Sequence, residues 1–260
     1  MLRVDNVSFA YTSSRNVLDD VSFAVGRGSI VGVLGPNGSG KTTLMRVISG
    51  VLRPTRGRVT IEEADVGALS RRDLARRIAV VPQETRTTFD FTVLEIVLMG
   101  RYPHLGPFEL EGAADLAIAR EALQATSTEE LASRPFATLS GGEKQRVIIA
   151  SALAQASDVL LLDEPTASLD LGYQLEVATL LARLNQEHRR TMIVCTHDLN
   201  LAAMICTELV LIRAGRVIDR GAPASVLTAA NVRALYEVEA EIAFHPRAQH
   251  LTVVPIARAH

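Results

Sequence analysis

The sequence predicts an α/β protein built on a mainly parallel sheet, with an antiparallel β segment at its N-terminal end and a helical segment inserted into it. Three observations carry this. Short continuous runs of β-branched and leucine residues recur between stretches of helical spacing, the pattern of parallel strands buried on both faces. The opening residues alternate instead, with Leu2, Val4 and Val7 set among polar neighbours. From about Thr87 to Ser157 no strand pattern occurs at all.

The elements follow in order. Leu2–Val7 and Val17–Val25 read as half-exposed strands, and Ile30–Leu34 as a buried one. A glycine-rich turn at Gly35–Gly40 precedes a helix from Lys41 to about Ser49, and Gly50 is placed to end it. Arg53–Gly57 is a turn, and Arg58–Ile61 a short strand. Residues 70–77 look helical, with Arg71, Arg72, Arg76 and Arg77 as a solvated face. Ile78–Val81 is a strand stopped by Pro82. Helices follow at Thr92–Met99, with Thr92 as cap, at Ala113–Ala125 and at Glu143–Ala154, and Arg101–Pro107 is a loop. Val159–Leu162 and Thr191–Thr196 are strands, while Leu175–Leu184 and Leu199–Met204 are helices. Leu209–Ile212 and Arg216–Ile218 form a hairpin around Ala214-Gly215. Beyond about Pro246 the one strand candidate is Leu251–Ile256.

Composition narrows the setting. A chain of 260 residues with 48% hydrophobic content can bury a sizeable core. It contains no apolar run of the ~18–20 residues that a bilayer-spanning helix needs, and Met1–Asp5 lacks the apolar stretch of a signal peptide. The expectation is a protein neither secreted nor inserted in a bilayer by itself. A net charge of −2 argues against a nucleic-acid partner. Cys195 and Cys206 fit reduced thiols in apolar surroundings and offer no metal spacing. A lone His104 between Pro103 and Leu105 reads as an interface or surface residue.

Gly35-Pro36-Asn37-Gly38-Ser39-Gly40-Lys41-Thr42-Thr43 matches G-x-x-x-x-G-K-[ST] in full, after a buried strand and before a helix. Glycines let successive N–H groups turn toward one anion, and the helix start adds about half a positive charge. Lys41 supplies a point charge for the β and γ phosphates, and the Thr42 hydroxyl can reach Mg²⁺. Nucleoside triphosphate binding follows. Val159–Leu162 then runs into Asp163-Glu164, two carboxylates at the carboxyl end of a strand. Asp163 suits Mg²⁺, and Glu164 suits polarising a water for attack on the γ-phosphate.

Leu139-Ser140-Gly141-Gly142-Glu143 stands just before a helix and shortly before that acidic pair. With it the chain resembles the nucleotide-binding subunits of ABC (ATP-binding cassette) transporters, whose signature is LSGGQ; Glu143 replaces the usual Gln. The resemblance covers the chain to about Pro223. It implies a P-loop NTPase core of RecA-like type at 1–86 and 158–225, an inserted helical subdomain at 87–157 and a C-terminal extension at 226–260. It further implies Gln83 as the Q-loop glutamine touching Mg²⁺, and Ser168-Leu169-Asp170 as the D-loop. His197 becomes the switch histidine, acting with Glu164, and Tyr11 the aromatic that stacks on adenine. Ser140 and Gly142 would meet the γ-phosphate held by a second copy, so that two copies close as an ATP-sandwich homodimer.

Met99–His104, Thr196–Asn200 and Ala222–Thr228 are similar to the ATPases of bacterial importers for ferric siderophores, haem or cobalamin. That resemblance implies membrane permease subunits as partners and, indirectly, a periplasmic or surface substrate-binding protein. The chain would then sit on the cytoplasmic face of the inner membrane, held by the permease. Three alternatives stand beside this reading: a soluble non-transport member of the superfamily, a transport ATPase for another cargo, and a regulatory cassette without turnover. The last would be marked by loss of Lys41, Glu164 or His197, and all three are present.

Replacing Lys41 by Ala removes a charged hydrogen-bond donor to phosphate, an interaction of ~1.5–3 kcal/mol. Titration calorimetry with ATP is expected to show an affinity lower by about tenfold or more.

Overall fold

The computed structural model describes residues 1–12, 16–83, 90–167 and 169–259. They fall into two units, 1–69 with 191–260 and 70–190. In the first unit, β1 (Leu2–Phe9) pairs antiparallel with β2 (Leu18–Val25) on one side. After β3 (Ile30–Leu34) and α1 (Lys41–Ile48), β4 (Arg56–Ile61) returns to the other side of β1 and carries the short β5 (Ala64–Asp65). Val4 faces Phe23 and Val59 across the two ladders, so the alternation read in the sequence is the inner face of this sheet. β3 is buried at every position, as its uninterrupted apolar run requires. Gly50, at φ 69°, ends α1 where the sequence placed the stop.

The second unit opens with α2 (Arg71–Arg77), capped by Ser70, and β6 (Ile78–Val81). α3 (Val93–Leu98) starts on a full capping box, Thr92 and Glu95 each bonding the other's backbone N–H. α4 (Ala113–Ala125) and α5 (Gly141–Ala154) pack with α3 as a helical cluster. β7 (Val159–Asp163) runs parallel to β6, with Ile78 beside Val159 and Val81 beside Leu162. α6 (Leu171–His188) is longer than the predicted Leu175–Leu184. Asp170 caps it, accepting the Tyr173 N–H, and Arg189 leaves it at φ 49°.

Two expectations change here. Arg101–Pro107 is not loop throughout, because Met99–His104 is a 3₁₀ helix. Arg101 is buried, donating from Nε to Asp115 Oδ1 at 2.9 Å and from Nη1 to Ala154 O at 2.7 Å. The arginine face of α2 is not simply solvated. Arg72 and Arg76 both donate from Nε to Pro103 O, at 3.0 and 2.8 Å. His104 is tied down as well, its Nε2 lying 2.8 Å from Gln155 O. The polar ends of these side chains thus satisfy backbone carbonyls that the tight 3₁₀ turn and the end of α5 leave over.

The chain then re-enters the first unit through β8 (Thr191–Thr196), α7 (Leu199–Ile205), β9 (Glu208–Arg213) and β10 (Arg216–Gly221). β3 lies between β8 and β9, parallel to both, and β10 folds back antiparallel on β9. Cys195 and Cys206 are buried, and desolvation pushes the Cys206 thiol up to about 12. α8 (Pro223–Val226) and α9 (Ala229–Tyr236) lead to a hairpin of β11 (Val238–His245) and β12 (His250–Arg258). The tail is therefore more ordered than its sequence suggests. β11 escapes notice because its exposed positions alternate Glu239 and Glu241 with only half-buried Val238, Ala240 and Ile242.

The Arg101 guanidinium holds the Asp115 carboxyl below the usual carboxylate range, helped by the Gly112 N–H. A depressed carboxylate adds stability that is present above its unfolded value of about 4 and fades as pH falls through the folded value. Arg101→Ala leaves a carboxylate and a carbonyl without their donor, and is expected to cost about 3–5 kcal/mol in urea unfolding. Asp115→Asn is expected to unfold with less acid dependence below pH ~4 than the unsubstituted chain.

Candidate functional site

In each unit the chemistry-bearing loops leave the carboxyl ends of neighbouring parallel strands. In the first unit Leu34 of β3 faces Thr196 of β8, so the next residues out are Gly35 and His197. In the second, Val81 of β6 faces Leu162 of β7, so Pro82-Gln83 and Asp163-Glu164 emerge side by side. This is the end of an open parallel sheet where ligands bind.

The phosphate loop runs from Gly35 to Thr43. Its rear is held by main chain: Gly215 N donates to Ser39 O at 3.0 Å, and Asp19 N to Gly215 O at 2.8 Å. Gly40, at φ 106°, begins α1; a Cβ there would lie 2.9 Å from Val17 O, and one on Gly215 would lie 2.3 Å from the same oxygen. Lys41 is buried, with Nζ donating to Gly35 O at 2.7 Å and Pro36 O at 3.3 Å, so its ammonium is folded over the loop. Ser39 Oγ is buried and has no hydrogen-bond partner among the described residues, which suits an oxygen-rich anion. Asn37, Gly38 and Thr42 are exposed, while Thr43 is buried. The Tyr11 hydroxyl lies 3.4 Å from Thr43 Oγ1, and its ring meets Phe9 edge-on at 4.9 Å. That hydrogen bond, with Arg46 nearby, lowers the Tyr11 phenol from its ordinary value. His197 stands exposed between β8 and α7.

In the second unit Asp163 and Glu164 are half-buried and Gln83 is exposed. Glu164 sits at φ 50°, a left-handed backbone that a glutamate adopts only where the surroundings impose it. Leu139 is buried and Ser140 caps α5, accepting the Glu143 N–H at 3.3 Å, while Glu143 Oε2 accepts the Ser140 N–H at 2.7 Å. Glu143, the residue that departs from the signature, thus completes a capping box, and this bond holds its carboxyl below the usual range. Gly141 lies against Leu169, and Gly142 against Tyr173, where a Cβ would come within 2.2 Å of the ring. Tyr173 thus supports the signature turn, a role its place in the sequence does not signal. Asp170 caps α6. Ser168 lies outside the described residues.

The donors named for Mg²⁺ fit that ion in kind. Thr42 offers an exposed hydroxyl, Asp163 a carboxylate and Gln83 an amide oxygen, all hard oxygen ligands. Among the described residues no cluster of three acidic, histidine or cysteine side chains could cage a metal.

The chain matches the ABC transporter family over residues 18–167. It is 45% identical over 240 residues to the cobalamin import ATP-binding protein BtuD of Halobacterium salinarum, covering 92% of this chain but 60% of that protein. It is 37% identical over 246 residues to the iron(3+)-hydroxamate import ATP-binding protein FhuC of Bacillus subtilis, covering 95% of this chain and 91% of the other. Among solved structures, an inward-facing ABC transporter assigned to the metal-chelate type superposes with a TM-score of 0.86 at 32% identity, over 98% of this chain and 96% of that one.

A methyl group on Gly142 must displace the Tyr173 ring. Gly142→Ala is expected to destabilise the protein by about 1–3 kcal/mol in urea unfolding, the range of overpacking changes. The same substitution beside Tyr173→Ala should cost markedly less.

Proposed function

The chain belongs to the ABC transporter family, and from that premise we propose that it is the ATP-binding and ATP-hydrolysing subunit of an importer for a ferric siderophore, haem or cobalamin. The observation that carries the reading is the phosphate loop itself, backed by main chain, with Lys41 folded over it and the Ser39 hydroxyl buried without a partner among the described residues. Lys41 and the loop N–H groups take the β and γ phosphates, and Tyr11 supports adenine. Thr42, Asp163 and Gln83 are the ligands for Mg²⁺, which supplies charge neutralisation to the phosphates when bound. Glu164 accepts the proton of the attacking water, and His197 orients that water and the γ-phosphate. The α/β core at 1–86 and 158–225 carries this chemistry, and the insert at 87–157 carries the signature.

Ser140 caps α5 and Gly142 lies in its first turn, and a 14-residue helix carries partial positive charge at that end. We assign them to the γ-phosphate held by a second copy, which makes the working form an ATP-sandwich homodimer, with Ser168-Leu169-Asp170 beside that junction. Tyr102, Phe108 and Leu110 stand exposed on one short stretch of the helical insert. Exposed large apolar groups so close together suit a protein partner, and we assign this stretch to the membrane permease subunits. Among the described residues no helix is long and apolar enough to cross a membrane. The permease would hold the chain on the cytoplasmic face of the inner membrane, and the substrate-binding protein would meet it only through the permease. The relatives named for cobalamin and for iron(3+)-hydroxamate import support the cargo class.

Glu164→Gln keeps the shape of the site and removes the base, a loss of ~10²–10⁴ in rate. The variant is expected to bind ATP, to lack measurable turnover, and to elute as a dimer from size exclusion in ATP and Mg²⁺. A variant that remains monomeric and hydrolyses ATP at the unsubstituted rate would overturn the assignment.

A further inference from the structure

The segment after Gly221 reaches the turn that carries His197. The peptide unit between His197 and Asp198 is held at both of its polar ends. Its carbonyl, on His197, accepts from the Tyr236 hydroxyl at 3.3 Å, and its N–H, on Asp198, donates to Thr196 Oγ1 at 3.1 Å. A peptide unit is planar, so fixing both ends fixes its rotation and hence the direction in which the neighbouring His197 side chain leaves the chain. Two residues on, the Asn200 side chain docks against β12 as a strand edge would: its Oδ1 accepts the Val253 N–H at 2.8 Å and its Nδ2 donates to Val253 O at 3.2 Å. Between them Asp198 caps α7, accepting the N–H groups of Asn200 and Leu201 at 2.9 and 3.0 Å.

Tyr236 is itself held. It ends α9, and the end of α9 is fastened to β9 by Arg213, which donates to Ala234 O and, at 2.8 Å, to Glu237 Oε1. A cation at a helix C-terminus satisfies its leftover carbonyls and its dipole together. The start of α9 is fastened to β10 by Asn231, whose Nδ2 reaches Asp219 Oδ2 at 2.6 Å and Val226 O at 2.8 Å. The hydroxyl of Tyr236 is thus presented to His197 from a helix fixed at both ends.

We propose that the C-terminal segment is a positioning device for ATP hydrolysis: Tyr236, with the Asn200–Val253 amide pair behind it, holds the His197 turn in the orientation its work on the γ-phosphate requires. Tyr236 acts through His197. The inference rests on the assignment of His197 to hydrolysis, and it gives residues 226–260 a part in the chemistry.

The test uses the full chain and four proteins: unsubstituted, Tyr236→Phe, His197→Ala and the double variant. Steady-state kcat and KM for MgATP, ATP affinity by calorimetry and the melting temperature are measured for each. Tyr236→Phe removes one neutral hydrogen bond and keeps the ring, so kcat should fall about fivefold, the factor such a bond commands. KM and ATP affinity should stay within about twofold. In the His197→Ala background the same change should have no further effect on kcat, because the residue it acts through is gone. Asn200→Ala should lower kcat in the same sense. Tyr236→Phe with unchanged kcat, or an equal loss in both backgrounds, overturns the inference, and a lowered melting temperature with unchanged kcat shows an anchor only. If the unsubstituted chain binds ATP but never turns it over, the ATPase reading fails first and takes this inference with it.

Discussion

Backbone N–H groups can point at one anion only if the chain carrying them is held from behind, and in this protein main chain does the holding. The Val17 carbonyl is the wedge. Gly40, in the phosphate loop, and Gly215, in the β9–β10 turn, both approach it so closely that neither position has room for a Cβ. The turn also bonds the loop directly through Gly215 N and Ser39 O, and bonds β2 through Gly215 O and Asp19 N. Three separate pieces of sequence thus meet by backbone contact behind the phosphate site. A loop built this way has little freedom to reorganise when charge arrives, which is the property electrostatic binding needs. β3, buried at every position, and the start of α1 flank the loop and hold its two ends.

The helical unit solves a different problem. Its 3₁₀ turn at Met99–His104 and the end of α5 leave carbonyls facing one another's surroundings, and polar side chains meet them: Arg101 on Ala154, His104 on Gln155, Arg72 and Arg76 on Pro103. Arg101 is buried in doing so, and Asp115 balances its charge. A buried ion pair adds little net stability but is costly to break, so it specifies one arrangement of α4 against the 3₁₀ turn. At the other end of α5, Ser140 and Glu143 close the first turn reciprocally, and Tyr173 backs Gly142. The signature turn is therefore set by local hydrogen bonds and one ring contact, all within its own unit.

His197 is positioned by a third means. The peptide unit after it is pinned by the hydroxyl of Thr196, from its own strand, and by a phenol from α9. Half of the restraint on this residue is thus local in sequence and half comes from a segment almost forty positions away. The same division holds for Asn200, whose amide copies a strand edge to bind β12.

What could be read from the sequence alone was whatever depends on residue type and short-range spacing. The phosphate loop, the strand ending in Asp163-Glu164, the cap at Thr92, and the stop at Gly50 are legible because each is a contact between residues a few positions apart or a backbone that only certain residues adopt. The alternation of strands and helices was legible because burial on both faces demands unbroken apolar runs. Tertiary structure alone decided the rest. The 3₁₀ turn that carries buried Arg101 read as loop because an arginine's burial depends on a partner, Asp115, supplied by another helix. β11 was silent because the positions between its glutamates are only half-buried, and it packs on α9. Tyr236 carried no signal, since a hydroxyl aimed at a distant carbonyl leaves no periodicity and no motif behind. Local chemistry is written in neighbouring letters; the partners that complete a charge, a carbonyl or a peptide plane are chosen only when the chain closes on itself.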